Sequence, residues 1–267
     1  MRKTSPLNYA FAIGKIRALE KFLITQEVFV EAIDSRLDEA LRLFVESDLY
    51  GDELLHIKDS QQLEGVLNQE SAKLKNLVSG LILDKELLGL LELDTLKCAE
   101  HILKDSSHTF FKDYLMQVID MHNIKTFLRL YILREPQEKL KGLLVCEGFI
   151  KKEILLELYN QDLSALLNRL EYIHKPDSAI LNYSAFLKEA IHKLQQENSF
   201  LYLEKAINDF LIGVLKAAKY LSFGAEPLIA YYFAKINEVN LIRMIILAKL
   251  NDVSGDLVKE RLNSVYA

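Results

Sequence analysis

A metal site or a nucleophilic centre is built from histidine, cysteine and clustered carboxylates, and in this sequence none of these is spaced for either. The six histidines, His56, His101, His108, His122, His174 and His192, form no HExxH, and no pair has ligand spacing with a Cys or carboxylate on one helical face. Cys98 and Cys146 lack CxxC or CxxH spacing and read as ordinary reduced thiols. GxxxxGK[ST], which would cradle nucleotide phosphates, is absent, as are GxSxG and an aspartate-rich DDxxD cluster. Glu31, Asp34, Asp38 and Glu39 interleave with Arg36 and Arg42, the pattern of a solvated helix face with i,i+4 pairs. The sequence therefore predicts no catalytic constellation, no metal site and no cofactor.

Four charges remain that need an account. Glu226, Glu238, Arg243 and Lys249 punctuate the most apolar part of the chain, where a charge must be paired or must reach water along its stem. Glu238 and Arg243 are placed to bond across a kink between two helices, and Lys249 to bond the last carbonyls of its own helix. With Tyr232 and Lys235 from the same stretch, they are candidates either for structural staples or for contact with a partner.

The elements that must carry these residues are helical. Hydrophobic residues make up 50% of the 267 and charged residues 27%, which is globular composition; 10 Gly and 4 Pro are too few for the turns of an all-β chain. Ile229, Tyr232, Phe233 and Ile236 fall on one helical face, and the apolar residues between Leu241 and Leu250 crowd almost the whole circumference. Gly224 suits a left-handed helix end, Pro227 the first turn of the next helix, and Asn251–Gly255 a turn with Ser254 as N-cap. His174–Ser178 is the clearest interior boundary: Pro176 stops one helix, and Asp177 or Ser178 caps another. No run has convincing period-two alternation. The expected fold is all-α.

Net charge is −5, which gives no electrostatic case for nucleic-acid binding. Spanning a membrane takes about 20 largely apolar residues. Phe210–Tyr220 and Leu241–Leu250 are shorter and carry Lys216, Arg243 and Lys249, so direct membrane insertion is not expected. Lys15, Arg17, Glu20 and Lys21 interrupt the apolar residues after the charged start, which argues against a signal peptide.

The sequence also echoes itself. Tyr232, Glu238, Ile242-Arg243 and Ile246 match Tyr114, Asp120, Ile124-Lys125 and Leu128 at a constant offset of 118. A fainter copy, Ile16-Arg17 with Leu19 and Ile24, stands at an offset of 226. Three related helical units are expected, over about 1–108, 109–176 and 177–267, each with a basic residue at a helix–helix junction.

Phe223-Gly224-Ala225-Glu226-Pro227 through Tyr231-Tyr232-Phe233-Ala234-Lys235, then Glu238, Ile242-Arg243 and Lys249-Leu250-Asn251, resembles the C-terminal signature of the C-type subunit of V/A-type ATPases (ATP synthases), the family of the eukaryotic V-ATPase d-type subunit. Lys259-Glu260-Arg261-Leu262 is similar to the family's closing RERL, Asp120–Arg129 to its NIK-containing repeat, and Gly148 with its apolar pair to its GG-(Y/F)-(I/L) turn. Tyr9-Ala10-Phe11-Ala12 and Leu49-Tyr50-Gly51 are similar to its opening and its TxY turn. The resemblance implies three similar helical domains in a pseudo-threefold arrangement that forms a funnel. It also implies a non-catalytic central-stalk role at the cytoplasmic face of the membrane, with the central shaft subunits and the membrane proteolipid ring as partners. The alternative is a soluble helical adaptor unrelated to rotary ATPases; against it, solenoid repeats recur at about 20–50 residues, far closer than these echoes.

Overall fold

The computed structural model describes residues 5–47, 51–91, 108–145, 148–177 and 179–267. The two cysteines, His101, Glu147, Ser178 and the Leu49-Tyr50 part of the TxY-like turn lie outside the described residues. The described chain is all-α apart from one two-stranded ribbon. Its helices are α1 (Ala10–Glu20), α2 (Gln26–Asp34), α3 (Leu37–Ser47), α4 (Ser60–Ser79), α5 (Thr109–Ile132), α6 (Gln137–Leu143), α7 (Lys152–Tyr159), α8 (Leu163–Leu170), α9 (Ser184–Glu197), α10 (Leu201–Lys216), α11 (Glu226–Leu250) and α12 (Gly255–Arg261). Short 3₁₀ segments of 4–7 residues connect several of them. The chain divides into two compact units: unit 1 takes Met1–Leu93 together with Ile212–Ala267, and unit 2 takes Asp94–Leu211.

In unit 1 the core is built on α11, whose Leu241, Ile242, Ile245 and Ile246 meet Phe29 and Ile33 of α2, Phe44 of α3, and Leu63 and Leu67 of α4. Apolar residues surround α11 on all sides, so only a helix covered all round can bury them. It begins where Pro227 costs no hydrogen bond and ends at Asn251, with Asp252 in the left-handed region (φ 52°). The expected kink is absent: the helix runs unbroken through Ile236–Leu241 because each residue there can donate to its i−4 carbonyl and no Pro or Gly intervenes. Ser254 stands at the N-cap of α12 as expected, although its side chain makes no capping bond.

Unit 2 is built the same way around α5. Ile124, Phe127 and Leu128 pack with Leu155 and Tyr159 of α7, Leu166 and Leu170 of α8, and Leu187 and Leu194 of α9. Between α8 and α9 lies the ribbon, β1 (Ile173–His174) antiparallel to β2 (Ile180–Leu181). This corrects the helix boundary expected at His174–Ser178. Pro176 and Asp177 form a hairpin turn, and the Asp177 carboxylate accepts the Ala179 N–H at 3.1 Å, an Asx turn rather than a helix cap. Strands of two residues are too short to show an alternating pattern.

The offset of 118 is carried by the backbone itself. α5 ends at Ile132 and α11 at Leu250; Arg134 and Asp252 take the same left-handed conformation (φ 53° and 52°). Glu135 N–H reaches back to the Leu130 carbonyl at 3.0 Å as Val253 N–H reaches the Ala248 carbonyl at 2.8 Å. α6 and α12, 7 residues each, then begin and end in register. A second register, which the sequence did not reveal, relates α2 and α3 to α7 and α8: at an offset of 126, Ile24, Phe29, Ile33, Ala40 and Phe44 correspond to Ile150, Leu155, Tyr159, Leu166 and Leu170, all buried. Chain order differs between the copies. In unit 2 the long helix precedes the helix pair; in unit 1 it follows.

Candidate functional site

The long helix of unit 1 carries all six candidate residues, so its surroundings decide what each can do. Glu226 stands in its first turn, where a carboxylate complements the positive end of the helix dipole. Just before it Gly224 (φ 101°) leaves room that no other residue leaves: a Cβ there would lie 2.1 Å from Glu226 Oε2. Tyr232 is buried and donates its hydroxyl to the Leu91 carbonyl at 2.9 Å.

Glu238 is 3% exposed and sits at the middle of the helix. Its Oε2 accepts the N–H of Ile24, the residue leading into α2, at 2.7 Å, and its Oε1 is bonded to the Lys235 ammonium. One side chain therefore satisfies a backbone donor that a neighbouring loop cannot satisfy itself, and a cation one turn away balances its charge. Burial holds the Lys235 pKa below its usual value, against the pull of Glu238 in the other direction.

Arg243 does not meet Glu238, contrary to the sequence expectation. Without the kink the two side chains lie five positions apart on different faces. Arg243 Nε donates to both carboxylate oxygens of Glu64 on α4, at 2.9 and 3.2 Å, and Nη1 to Asn240 at 2.6 Å. Lys249 also differs from its expected role. Its ammonium caps another helix, α2, by donating to the Ile33 carbonyl at 3.0 Å and to the Ser35 carbonyl. The C-terminal carbonyls of α2 have no intrahelical partner, so a cation there meets both an unfilled acceptor and the negative end of a dipole. Burial lowers the Lys249 pKa, while Asp34 and Glu39 raise it.

Unit 2 holds the counterpart, which the sequence echo located without revealing its surroundings. Asp120, fully buried, accepts the N–H groups of Phe149 at 3.1 Å and Ile150 at 3.0 Å and the Tyr183 hydroxyl at 3.0 Å. Ile150 leads into α7 as Ile24 leads into α2, so both carboxylates hold the same backbone position. At the offset of Lys235, however, stands Gln117, which donates instead to the Asp113 carbonyl at 3.0 Å. Among the described residues Asp120 has three neutral donors, and burial raises its pKa to about 7 although all three hydrogen bonds pull it down. The turn closes so tightly that a Cβ on Gly148 would come within 2.3 Å of Asp120 Oδ1 and 2.4 Å of the Met116 carbonyl. That contact accounts for the glycine at this turn. Lys125, in register with Arg243, likewise reaches a glutamate on another helix, Glu204 of α10, at 3.7 Å.

Arg17, the basic residue of the faintest echo, fills a comparable place. Its Nη2 donates to the carbonyls of Ala218, Lys219 and Leu221 at 3.0, 2.8 and 3.0 Å, and Nη1 pairs with Glu20. Sequence reasoning missed Glu64, Asp84 and Tyr183. Tyr9 donates to Asp84 at 2.8 Å and accepts the N–H groups of Leu83 and Asp84, both at 3.0 Å, which fixes the segment after α4. A lone acid or tyrosine at the edge of an apolar run was the only available signal for these, and it names no partner. These arrangements order backbone and join helices; of the six candidates the structure brings together Lys235 and Glu238, while Tyr232, Arg243 and Lys249 are held by residues outside the set.

No described helix is long and apolar enough to cross a membrane. Residues 90–261 match the family model for the ATP synthase (C/AC39) subunit. Among known proteins, the C subunit of the V-type sodium ATPase of Enterococcus hirae is similar to this chain, 27% identical over 152 residues. The matched region covers 57% of this chain and 43% of that protein, so the similarity spans less than half of the relative's length. With well over half of its residues matched by the family model, and a helical fold whose repeat runs through the matched region, this chain belongs to the ATP synthase (C/AC39) subunit family.

Proposed function

We propose that the chain is a non-catalytic central-stalk subunit of a V/A-type rotary ATPase, coupling the central shaft to the membrane proteolipid ring for ATP-linked transport of H+ or Na+. Membership of the family is the observation that carries this reading. The internal architecture supports it. A part that passes torque must resist shear, and in each unit a long, largely buried helix is tied to its neighbours by a carboxylate on a loop N–H and a basic residue on a glutamate. The repeated helical pattern also suits three domains about a pseudo-threefold axis, roughly 1–108, 109–176 and 177–267, enclosing a funnel for the shaft. In this reading the chain sits peripherally on the cytoplasmic face of the membrane and has no active site of its own. Nucleotide chemistry and ion binding belong to its partners.

Copurification tests it. Native membranes are solubilised gently, and the rotary complex is isolated through its shaft and probed for this chain. It should be recovered with the shaft and the proteolipid ring in fixed proportion. A complex that retains shaft and ring without this chain would overturn the reading.

A further inference from the structure

We draw no further inference here: the strongest candidate, the open cleft of unit 1 between α3 and the 3₁₀ segment Asp52–His56, lined by Leu37, Leu41, Leu55 and Ile57 with Arg36 and Arg42, carries nothing, because Asp38 stands in the same lining against Arg36 and nothing in the structure shows what covers it.

Discussion

Asp120 in unit 2 and Glu238 in unit 1 stand at the same place on matching helices, and each holds the N–H of an isoleucine that leads into a short helix. Their electrostatic surroundings are opposite. Glu238 is balanced by Lys235, and at that position unit 2 has Gln117, so Asp120 relies on two backbone N–H groups and a tyrosine hydroxyl. The backbone requires a buried acceptor in both places, because the loop N–H lies beyond the reach of its own helix. How the charge of that acceptor is supported is a separate matter, and the two copies have answered it differently. The repeat preserves a hydrogen-bonding need rather than an ion pair.

The largest expected effects break this pair of solutions. Removing the acceptor in either copy, as Asp120→Ala or Glu238→Ala, should destabilise its own unit by roughly 3–5 kcal/mol, since three donors lose their acceptor in one, and a buried N–H and an ammonium lose theirs in the other. Hydrogen exchange would show it, with faster exchange at Ile150 for the first variant and at Ile24 for the second. Neutral isosteres should then separate the copies. Asp120→Asn should cost no more than about 2 kcal/mol, whereas Glu238→Gln, which removes the carboxylate charge bonded to Lys235, should cost more than that. Equal costs would mean that Lys235 does not matter to Glu238.

Gly148→Ala comes next, at about 2–3 kcal/mol, because its Cβ would overlap Asp120 and the Met116 carbonyl unless the turn moves. Denaturant unfolding measures it. A neutral result would show that the turn yields.

Titration sharpens the comparison further. Asp120 is raised in the folded state from its usual 3.8 to about 7, so the folded protein binds the proton more tightly than the unfolded chain. Its contribution is therefore fully present below about pH 4 and is lost as pH rises toward 7, with a slope of at most about 1.4 kcal/mol per pH unit. Gln117→Lys, which supplies the cation found in unit 1, should flatten this dependence, as read from unfolding midpoints across that range. A slope unchanged by the substitution would contradict the role assigned to the missing cation.

The smallest effect is expected at Arg243. Its pair with Glu64 is partly solvated, with side chains 26% and 41% exposed, so Arg243→Ala should cost about 1 kcal/mol of stability or less. Loss of assembly well beyond that small cost would assign Arg243 a partner contact as well as its place between α11 and α4. Normal assembly would leave it a staple alone.

The sequence by itself determined the all-helical class, the start of α11 at Pro227 and its end at Asn251, and the offset that links Tyr114–Leu128 to Tyr232–Ile246. These are properties of neighbouring residues. Apolar period, a proline at a helix start and a turn after the last apolar position all act within a few residues of themselves. It also singled out Glu238, Arg243 and Lys249 as charges in need of an account. Their partners were decided only by the tertiary structure: Ile24 for Glu238, Glu64 for Arg243, and Ile33 with Ser35 for Lys249. Those partners are supplied by segments about 180–220 residues away in the chain. Local patterning says that a buried charge must be satisfied, and only the packing of distant helices says by what.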